Sequence, residues 1–362
     1  RSVPAGYYDN VVQYVKANVN ANERLHNSKS TDNSRVILAL TAIGKDPTNV
    51  GGHNLLKGLD SMNYINKQGI NGPVFALIAL DSHNYPTFGE VTRDVLIDRI
   101  LSEQVKADGG WALGGADEEA SDVDVTAMTI QALAPYYKTN AKVKTAVDKG
   151  LTWLSEHQEE DGGFASWGAV NSESCAQVIV ALAALGIDPL TDSRFIKNGI
   201  TALDALCGYY TQDDTLGKGF AHVKQSSGGY VGGAYNQMAT EQAYYALAFF
   251  YQDVPAKTTL SKTAKSGSGK LKVTWKKAAI NTDYVTKRSG KTAAVSGYQI
   301  VCATDKKFSK NVVKTTVSGK SLSKTITGLK KGKTYYVKVR AYKTVNGKKI
   351  YGQYSSVRKQ KA

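Results

Sequence analysis

The sequence predicts two domains, a ring of paired α-helices over residues 1–254 and a β-sandwich over residues 255–362. Apolar residues recur at helical spacing in the first part and alternate with polar residues in the second. The charge changes at the same point. Residues 257–362 carry 27 Lys and Arg against two acidic residues, whereas residues 1–256 carry 19 against 29. The length of 362 residues also fits two domains better than one.

Five segments of the first domain are rich in Ala and Leu on nearly every face, which predicts helices buried on both sides. These segments are Asn33–Ile43, Gly72–Leu80, Asp122–Leu133, Ser172–Leu185 and Thr240–Phe250. Five amphipathic segments alternate with them, namely Tyr8–Val19, Leu55–Ile65, Val91–Gln104, Val143–Gln158 and Arg194–Leu206. We therefore expect inner and outer helices to alternate around a ring, because no single pair can bury its inner face alone.

The loops that follow the outer helices share a motif, a glycine pair followed by an aromatic residue. The aromatic residues are Trp111, Phe164 and, in a looser third copy, Tyr230 after Gly228 and Gly229. Glycine permits a sharp turn with positive φ, so each aromatic ring is expected to wedge between neighbouring helices.

One copy of the repeat is nearly complete and consists of Lys149, Gly150, Trp153, Leu154, Gln158, Gly162 and Phe164. It resembles the glutamine–tryptophan repeat of squalene and hopene cyclases, with Phe in the final Trp position. The resemblance implies an (α/α)6-type toroid of the terpenoid cyclase and prenyltransferase superfamily, to which cobalamin carriers also belong. Five helix pairs are visible. Because Arg1–Pro4 looks like the end of an inner helix, a sixth pair is expected upstream.

In the second domain, apolar residues alternate with Lys, Thr or Ser, which predicts half-buried strands. The predicted strands are Lys270–Trp275, Gly297–Thr304, Ser323–Ile326, Tyr335–Tyr342 and Tyr351–Val357. The arrangement of Trp275, Tyr298 and Tyr335 resembles a fibronectin type III domain, with Tyr335 at the position of the tyrosine corner.

The basic residues of this domain lie in turns or at outward-facing positions such as Lys272, Lys338 and Arg340. No aromatic residues are predicted to interleave with them, so the sequence does not predict nucleic-acid binding. Lys-rich domains of this type resemble wall-associated modules of Gram-positive bacteria. The resemblance implies an extracellular or cell-surface protein, with an anionic cell-envelope polymer as a partner of the basic domain. No apolar run is long enough to predict a transmembrane segment.

Polar residues gather where the predicted inner helices begin, and in such a ring these ends open onto the cavity. Helix N-termini favour anionic or hydrogen-bonding ligands. The candidate cavity residues are Asp122, Asp124, Thr126, Glu173, Ser174, Gln177, Thr240, Glu241, Tyr244, Trp111 and Arg35. The alternative is that the Ser, Thr and Asp residues only cap the helices.

The segment from Asp122 to Val125 is similar to the DxDD motif of class II terpene cyclases. This similarity implies that Asp124 is a general acid and that Asp122 supports it. Val125 stands where the motif has its last Asp, so the acid lacks a partner carboxyl group. The sequence therefore favours a non-enzymatic binding protein, and a divergent cyclase is the alternative.

Other chemistries stay open. Zinc binding, as in prenyltransferase β subunits, would use Cys175 with Glu173 and a His such as His222, but Cys175 also fits a core position and no metal site is predicted. Sugar cleavage would use the carboxylates and aromatic residues. The toroid of the cobalamin carriers makes a corrinoid a candidate ligand. The main hypothesis is that the toroid presents a polar-rimmed cavity to a small molecule, glycan or protein, while the sandwich is a spacer or wall-proximal module.

Overall fold

The computed structural model describes residues 3–226, 228–250, 254–280, 294–345 and 348–362. The chain divides into two compact units, Arg1–Phe250 and Tyr251–Ala362. We call them the toroid unit and the sandwich unit. Among the described residues, no helix is both long enough and apolar enough to cross a membrane.

The described residues of the toroid unit form ten α-helices. They are α1 (Tyr7–Asn18), α2 (Ser30–Ala42), α3 (Met62–Ile65), α4 (Asn71–Asp81), α5 (Arg93–Ser102), α6 (Val123–Leu133), α7 (Ala141–Glu156), α8 (Ser172–Leu185), α9 (Ala202–Cys207) and α10 (Gln237–Phe250). Helices α2, α4, α6, α8 and α10 pack side by side in this order, while α5, α7 and α9 pack against α4, α6 and α8. The five predicted inner helices are confirmed, and with them the toroid fold class.

Short strands connect several of these helices. They are β1 (Ala165–Ser166), β2 (Ala169–Val170), β3 (Ile196–Lys197), β4 (Ile200–Thr201), β5 (Tyr210–Asp213), β6 (Gly217–Ala221) and β7 (Tyr235–Asn236). The first two pairs form antiparallel hairpins, and β5, β6 and β7 form a small sheet next to α10.

Two predicted outer helices are wrong. Instead of one helix over Leu55–Ile65, the chain forms a 3₁₀ turn followed by the short α3. The backbone of Gly58 approaches the loop before α2 so closely that a Cβ atom there would lie 2.3 Å from the Glu23 carbonyl oxygen. Over Arg194–Leu206, the β3–β4 hairpin replaces the start of the helix. Asn198 and Gly199 both have positive φ, as a tight two-residue hairpin turn requires.

The glutamines of the repeat tie each loop to the next outer element. Gln158 Nε2 donates hydrogen bonds to the carbonyl oxygens of Gly162 (3.0 Å) and Phe195 (3.2 Å). Gln104 makes the equivalent bonds in its own repeat. Trp111 and Phe164 are fully buried, which confirms the predicted wedge. Gly150 leaves space for the Trp111 side chain, because a Cβ atom on residue 150 would lie 2.8 Å from the Trp111 ring.

The predicted third copy is wrong, since Tyr230 is 45% exposed. The aromatic residue that fills its place is the buried Phe220 in β6. The backbone N–H of Phe220 donates to Thr240 Oγ1 (2.9 Å), and the Thr240 hydroxyl donates to the Phe220 carbonyl (3.3 Å). Thr126 holds Trp111 with the same pair of bonds. Gly219 and Phe220 are therefore the structural equivalents of Gly110 and Trp111.

In the part of the sandwich unit that the structure describes, the strands form two antiparallel sheets. Its strands are β8 (Leu260–Lys265), β9 (Leu271–Trp275), β10 (Gly297–Ala303), β11 (Val313–Ser318), β12 (Ser323–Ile326), β13 (Thr334–Val345), β14 (Lys348–Tyr351) and β15 (Arg358–Lys361). One sheet has the order β12-β9-β8. In the other, β13 lies between β10 and the two strands β14 and β15, and β11 is at the edge.

Trp275, Tyr298 and Tyr335 lie in the core between these sheets. The Tyr335 hydroxyl accepts a hydrogen bond from the Lys330 N–H (3.0 Å), which confirms the tyrosine corner. The unit is thus a fibronectin type III-like sandwich. The predicted strand Tyr351–Val357 is wrong, because pairing stops at Tyr351 and resumes at Arg358 against the other half of β13. Strand β11 was not predicted.

Candidate functional site

Two of the predicted carboxylates lie at the start of α6. Asp122 is the N-cap residue, and its Oδ1 accepts a hydrogen bond from the Val125 N–H (3.0 Å). Its Oδ2 accepts a bond from the Ser166 hydroxyl (2.5 Å) at the end of β1. Both oxygens of Asp122 are therefore engaged, as the capping alternative predicted for this residue. Asp124 lies in the first turn and makes no such capping bond.

The equivalent turn of α8 carries a buried carboxylate. Asn171 caps this helix, so Glu173 occupies the position that Asp124 occupies in α6. Glu173 is only 4% exposed. Its Oε2 accepts hydrogen bonds from the Ser172 hydroxyl (2.9 Å) and from His222 Nδ1 (2.9 Å). The backbone of His222 is fixed as well, because its carbonyl accepts a bond from the Ser172 N–H.

Asp124 and Glu173 lie in the first turns of α6 and α8, which are packed inner helices, and the charge of Glu173 acts on Asp124. The pKa of Asp124 is raised to about 6, chiefly by burial and in smaller part by the charges of Asp122 and Glu173, while the nearby hydroxyls of Ser174 and Ser166 act in the opposite direction. Within the described structure, three buried polar atoms have no hydrogen-bond partner here: Asp124 Oδ1, Glu173 Oε1 and Ser174 Oγ. Such atoms each cost about 1–3 kcal/mol, so the two carboxylate oxygens are available to accept hydrogen bonds and the Ser174 hydroxyl is available to donate one. We call Asp122, Asp124, Glu173 and Ser174 the carboxylate cluster.

Two exposed aromatic residues lie next to residues that bond to this carboxylate cluster. Trp167 follows Ser166 at the tip of the β1–β2 hairpin, and its side chain is 83% exposed. Its φ of 53° is a conformation that bulky residues rarely adopt. Tyr230 lies against the His222 ring, with the ring centroids 4.0 Å apart. A cleft of about 290 Å³ opens beside the hairpin, between Gly168 and the segment Val223–Gln225.

Polar side chains continue along the inner faces of the helices. Gln177 Nε2 donates to Gln242 Oε1 (2.9 Å), which links α8 to α10. Gln131 Nε2 donates to the Tyr245 hydroxyl (2.8 Å), which links α6 to α10 past the intervening α8. The inner faces therefore converge. Tyr245 is 40% exposed, yet desolvation raises its pKa, as expected for a side chain in a recess.

The structure brings together only part of the predicted site. Asp122, Asp124, Glu173 and Ser174 form the cluster, and Gln177 lies on the adjoining inner face. Thr126, Thr240 and Trp111 belong to the buried packing of the loops. The Tyr244 ring packs edge-on against Phe220, and its hydroxyl donates to the Lys218 carbonyl. Glu241 and Arg35 are exposed.

Sequence reasoning missed Ser166 and Tyr230 and gave His222 only a metal-binding role. His222 lies 49 residues from Glu173 in the sequence. No local pattern signals this pairing, because it depends on the β5–β7 sheet returning the chain to the start of α8. Across the described residues, no three His, Cys, Asp or Glu side chains are grouped to hold a metal ion. Cys175 is fully buried, and burial raises the pKa of its thiol to about 12, which disfavours the thiolate that zinc requires.

Comparison with protein families places this site within a matched region. Residues 98–235 match the model of the squalene-hopene cyclase C-terminal domain. The match runs from within α5 to the first residue of β7 and includes Asp122, Asp124, Glu173 and His222. It supports a terpenoid cyclase-like toroid. A comparison with curated proteins found no match.

Among solved structures, the chain is similar to the chicken CNTN1 FN1–FN3 domains, with 21% identity over 30% of this chain and a TM-score of 0.21. The similarity spans 30% of the length of that structure. The chain is also similar to the FN5 domain of Drosophila Lar, with 20% identity over 30% of this chain and 95% of that one, and a TM-score of 0.21.

Proposed function

We propose that the chain is an extracellular or cell-surface binding protein whose toroid unit binds a saccharide at the carboxylate cluster. The observation that carries this proposal is the pair of unpartnered acceptor oxygens, Asp124 Oδ1 and Glu173 Oε1. An ionised carboxylate only accepts hydrogen bonds, so the ligand must supply donors. Sugar hydroxyls are donors of this kind, and they do not require the ligand to be charged.

The aromatic residues beside the cluster support the same class of ligand. Both aromatic side chains are exposed. Trp167 follows Ser166, whose hydroxyl bonds to Asp122, and the Tyr230 ring contacts His222, which bonds to Glu173. An exposed indole offers a flat apolar surface with a polar N–H at its edge, which suits the C–H face of a sugar ring. Pockets that combine apolar walls with a few fixed polar groups are typical of ligand sites.

The test is isothermal titration of the full chain with tetrasaccharides of glucose, mannose and N-acetylglucosamine, with cobalamin as the corrinoid arm. We expect one saccharide to bind, and Glu173→Gln and Asp124→Asn each to weaken its binding at least about tenfold, since each removes a charged acceptor. Trp167→Ala is expected to weaken binding without changing stability. Asp117→Asn is the matched control, because Asp117 is an exposed carboxylate paired with Lys106.

Failure of every saccharide to bind would contradict the proposal. An equal loss of affinity in Asp117→Asn would also contradict it, because the effect would then be one of net charge. Binding of cobalamin alone would replace the saccharide by a corrinoid.

The second candidate function is acid catalysis by Asp124, and the raised pKa of this residue favours it. A carboxyl group with a pKa of about 6 carries its proton in part of the molecules near neutral pH. The test is incubation with squalene and analysis of products by gas chromatography and mass spectrometry. Cyclised products that disappear in Asp124→Asn but persist in Asp117→Asn would establish the enzyme. No product would leave saccharide binding as the function.

A further inference from the structure

Strand β13 has an inner face that packs into the core and an outer face that carries cations. Tyr335, Val337, Val339 and Ala341 point into the sandwich and are buried. The alternate residues Lys338 and Arg340 lie on the opposite face and are partly exposed. This face is formed by the sheet of β11, β10, β13, β14 and β15.

Aromatic rings interleave with these two cations. Lys338 Nζ lies 3.9 Å from the ring centroid of Phe308 and 4.2 Å from that of Tyr354. The Arg340 guanidinium lies 4.3 Å from the Tyr354 centroid and 3.8 Å from that of Tyr351. We call these five residues the basic ladder. The expectation that no aromatic residues interleave with the basic side chains is therefore wrong, because loop residue 308 and residues 351 and 354 fold back onto β13.

The basic ladder is held in one arrangement. Gln299 Oε1 accepts hydrogen bonds from Arg340 Nε (3.0 Å) and from the Tyr354 hydroxyl (2.9 Å). The cation–π contacts add to the stability of this arrangement. The remaining N–H donors of Arg340 and the ammonium of Lys338 are thus fixed in place before any ligand arrives, which lowers the entropy lost on binding.

Within the described residues of the sandwich unit, no carboxylate is paired with these cations. Asp305 is the single acidic residue in the part of the sandwich unit that the structure describes, and its carboxylate accepts N–H groups of its own loop. Burial lowers the pKa of Lys338, and the charges of Arg340 and Lys314 lower it further. Lys314 lies on the same face, because it pairs with Val301, which in turn pairs with Lys338. The positive charges repel one another, and an anionic ligand would relieve the repulsion.

The spacing of the cations indicates what kind of anion fits. Lys338 and Arg340 are two residues apart on an extended strand, a separation of about 7 Å that spans six backbone bonds. Successive phosphorus atoms of a glycerol phosphate chain are also six bonds apart, so an extended chain of this type can place one phosphate on each cation. The faces of the Tyr354 ring are occupied by Lys338 and Arg340. This leaves no free ring surface there on which a nucleic-acid base could stack.

We propose that the basic ladder, together with Lys314, binds a linear phosphodiester polymer that lacks bases, through its phosphates alone. The site is independent of the saccharide proposed for the toroid unit. It gives the basic domain a function of its own beyond that of a spacer.

The experiment measures binding of the full chain to a poly(glycerol phosphate) decamer at several salt concentrations. In the double variant Lys338→Gln/Arg340→Gln, we expect at least a tenfold loss of affinity at low salt. The slope of log K against log salt should fall by about 1.4, because two phosphate contacts are lost. The control is Lys262→Gln/Lys272→Gln, which removes the same charge from exposed positions on the β12-β9-β8 sheet. Its affinity should stay within about threefold of the parent.

A second variant separates the arrangement of the ladder from its charge. Tyr354→Leu keeps every cation but removes the ring between them, so we expect a threefold to tenfold loss of affinity with an unchanged salt slope. Hydrogen exchange of the sandwich unit verifies that each variant is folded. Equal losses in the two double variants would overturn the proposal, since binding would then follow net charge. Tighter binding of a thymidine decamer than of the glycerol phosphate decamer would also overturn it, in favour of nucleic acid.

Discussion

The two units differ in where their functional charged side chains lie, which is inside the toroid unit and on the surface of the sandwich unit. In the toroid unit, Asp124 and Glu173 are inside, between packed inner helices, and some of their oxygens have no partner. In the sandwich unit, the interior contains mainly apolar and aromatic side chains, and the charges lie outside on a sheet face. Buried charges cost stability and respond to pH, whereas exposed charges respond mainly to salt. The comparison therefore predicts that the two units respond to different variables.

The largest effect is expected at Asp124. Its pKa is about 6 in the folded protein and about 3.9 in an unfolded chain, so the folded state holds the proton more tightly. The contribution of Asp124 to the free energy of unfolding is therefore most favourable below about pH 4, and it is lost as the pH rises to about 6. Asp124→Asn should therefore stabilise the toroid unit by up to roughly 3 kcal/mol above pH 6 and by much less at pH 4.

This prediction is measured as the difference in unfolding free energy between parent and variant, from hydrogen exchange of toroid peptides at each pH. Taking the difference cancels the contributions of other carboxylates, such as Asp108, whose pKa is lowered. If the stability gained in Asp124→Asn did not change with pH, the contrast between the pH-sensitive toroid unit and the salt-sensitive sandwich unit would be wrong. The same variant is expected to lose ligand, so stability and binding should change in opposite directions.

An intermediate effect is expected at Thr126, whose buried hydroxyl both accepts and donates a hydrogen bond. Thr126→Val removes the acceptor of the Trp111 N–H and one of the two donors to the Trp111 carbonyl, which keeps its bond from the Asp122 N–H, and should destabilise the toroid unit by about 2 kcal/mol. Thr129→Val is the matched control in the same helix, because the buried Thr129 hydroxyl has no partner within the described structure. The control should be neutral or stabilising. Equal losses at both positions, measured by urea unfolding, would show that packing rather than hydrogen bonding decides the outcome.

The smallest effect is expected in the sandwich unit. Arg340→Gln should change its unfolding free energy by less than about 1 kcal/mol, because the lost cation–π contacts are offset by reduced charge repulsion. Added salt should stabilise this unit in the parent protein, and less so in the variant. Thermal unfolding at low and high salt measures both effects. A loss of several kcal/mol would mean that the basic ladder is chiefly a structural element.

The sequence predicted the fold through features that act locally. Helical periodicity identified the five inner helices, and the glycine pairs before Trp111 and Phe164 identified two of the loops. The same approach failed for Tyr230, because the third copy of the motif is set by the bond of Thr240 to Phe220 and not by the nearest glycine pair. An available signal was missed at Asn198 and Gly199, a dipeptide typical of tight hairpins.

The five inner helices, the outer helices α1, α5 and α7, the sandwich and the strong charge asymmetry were determined by the sequence alone, because burial and periodicity are encoded at short range. Tertiary structure decided which polar residues meet. It brought His222 to Glu173 across 49 residues and placed Tyr354 between Lys338 and Arg340. The physical reason is that burial, desolvation and cation–π contacts depend on distances between segments that are remote along the chain. Those distances are fixed only when the helices and sheets pack.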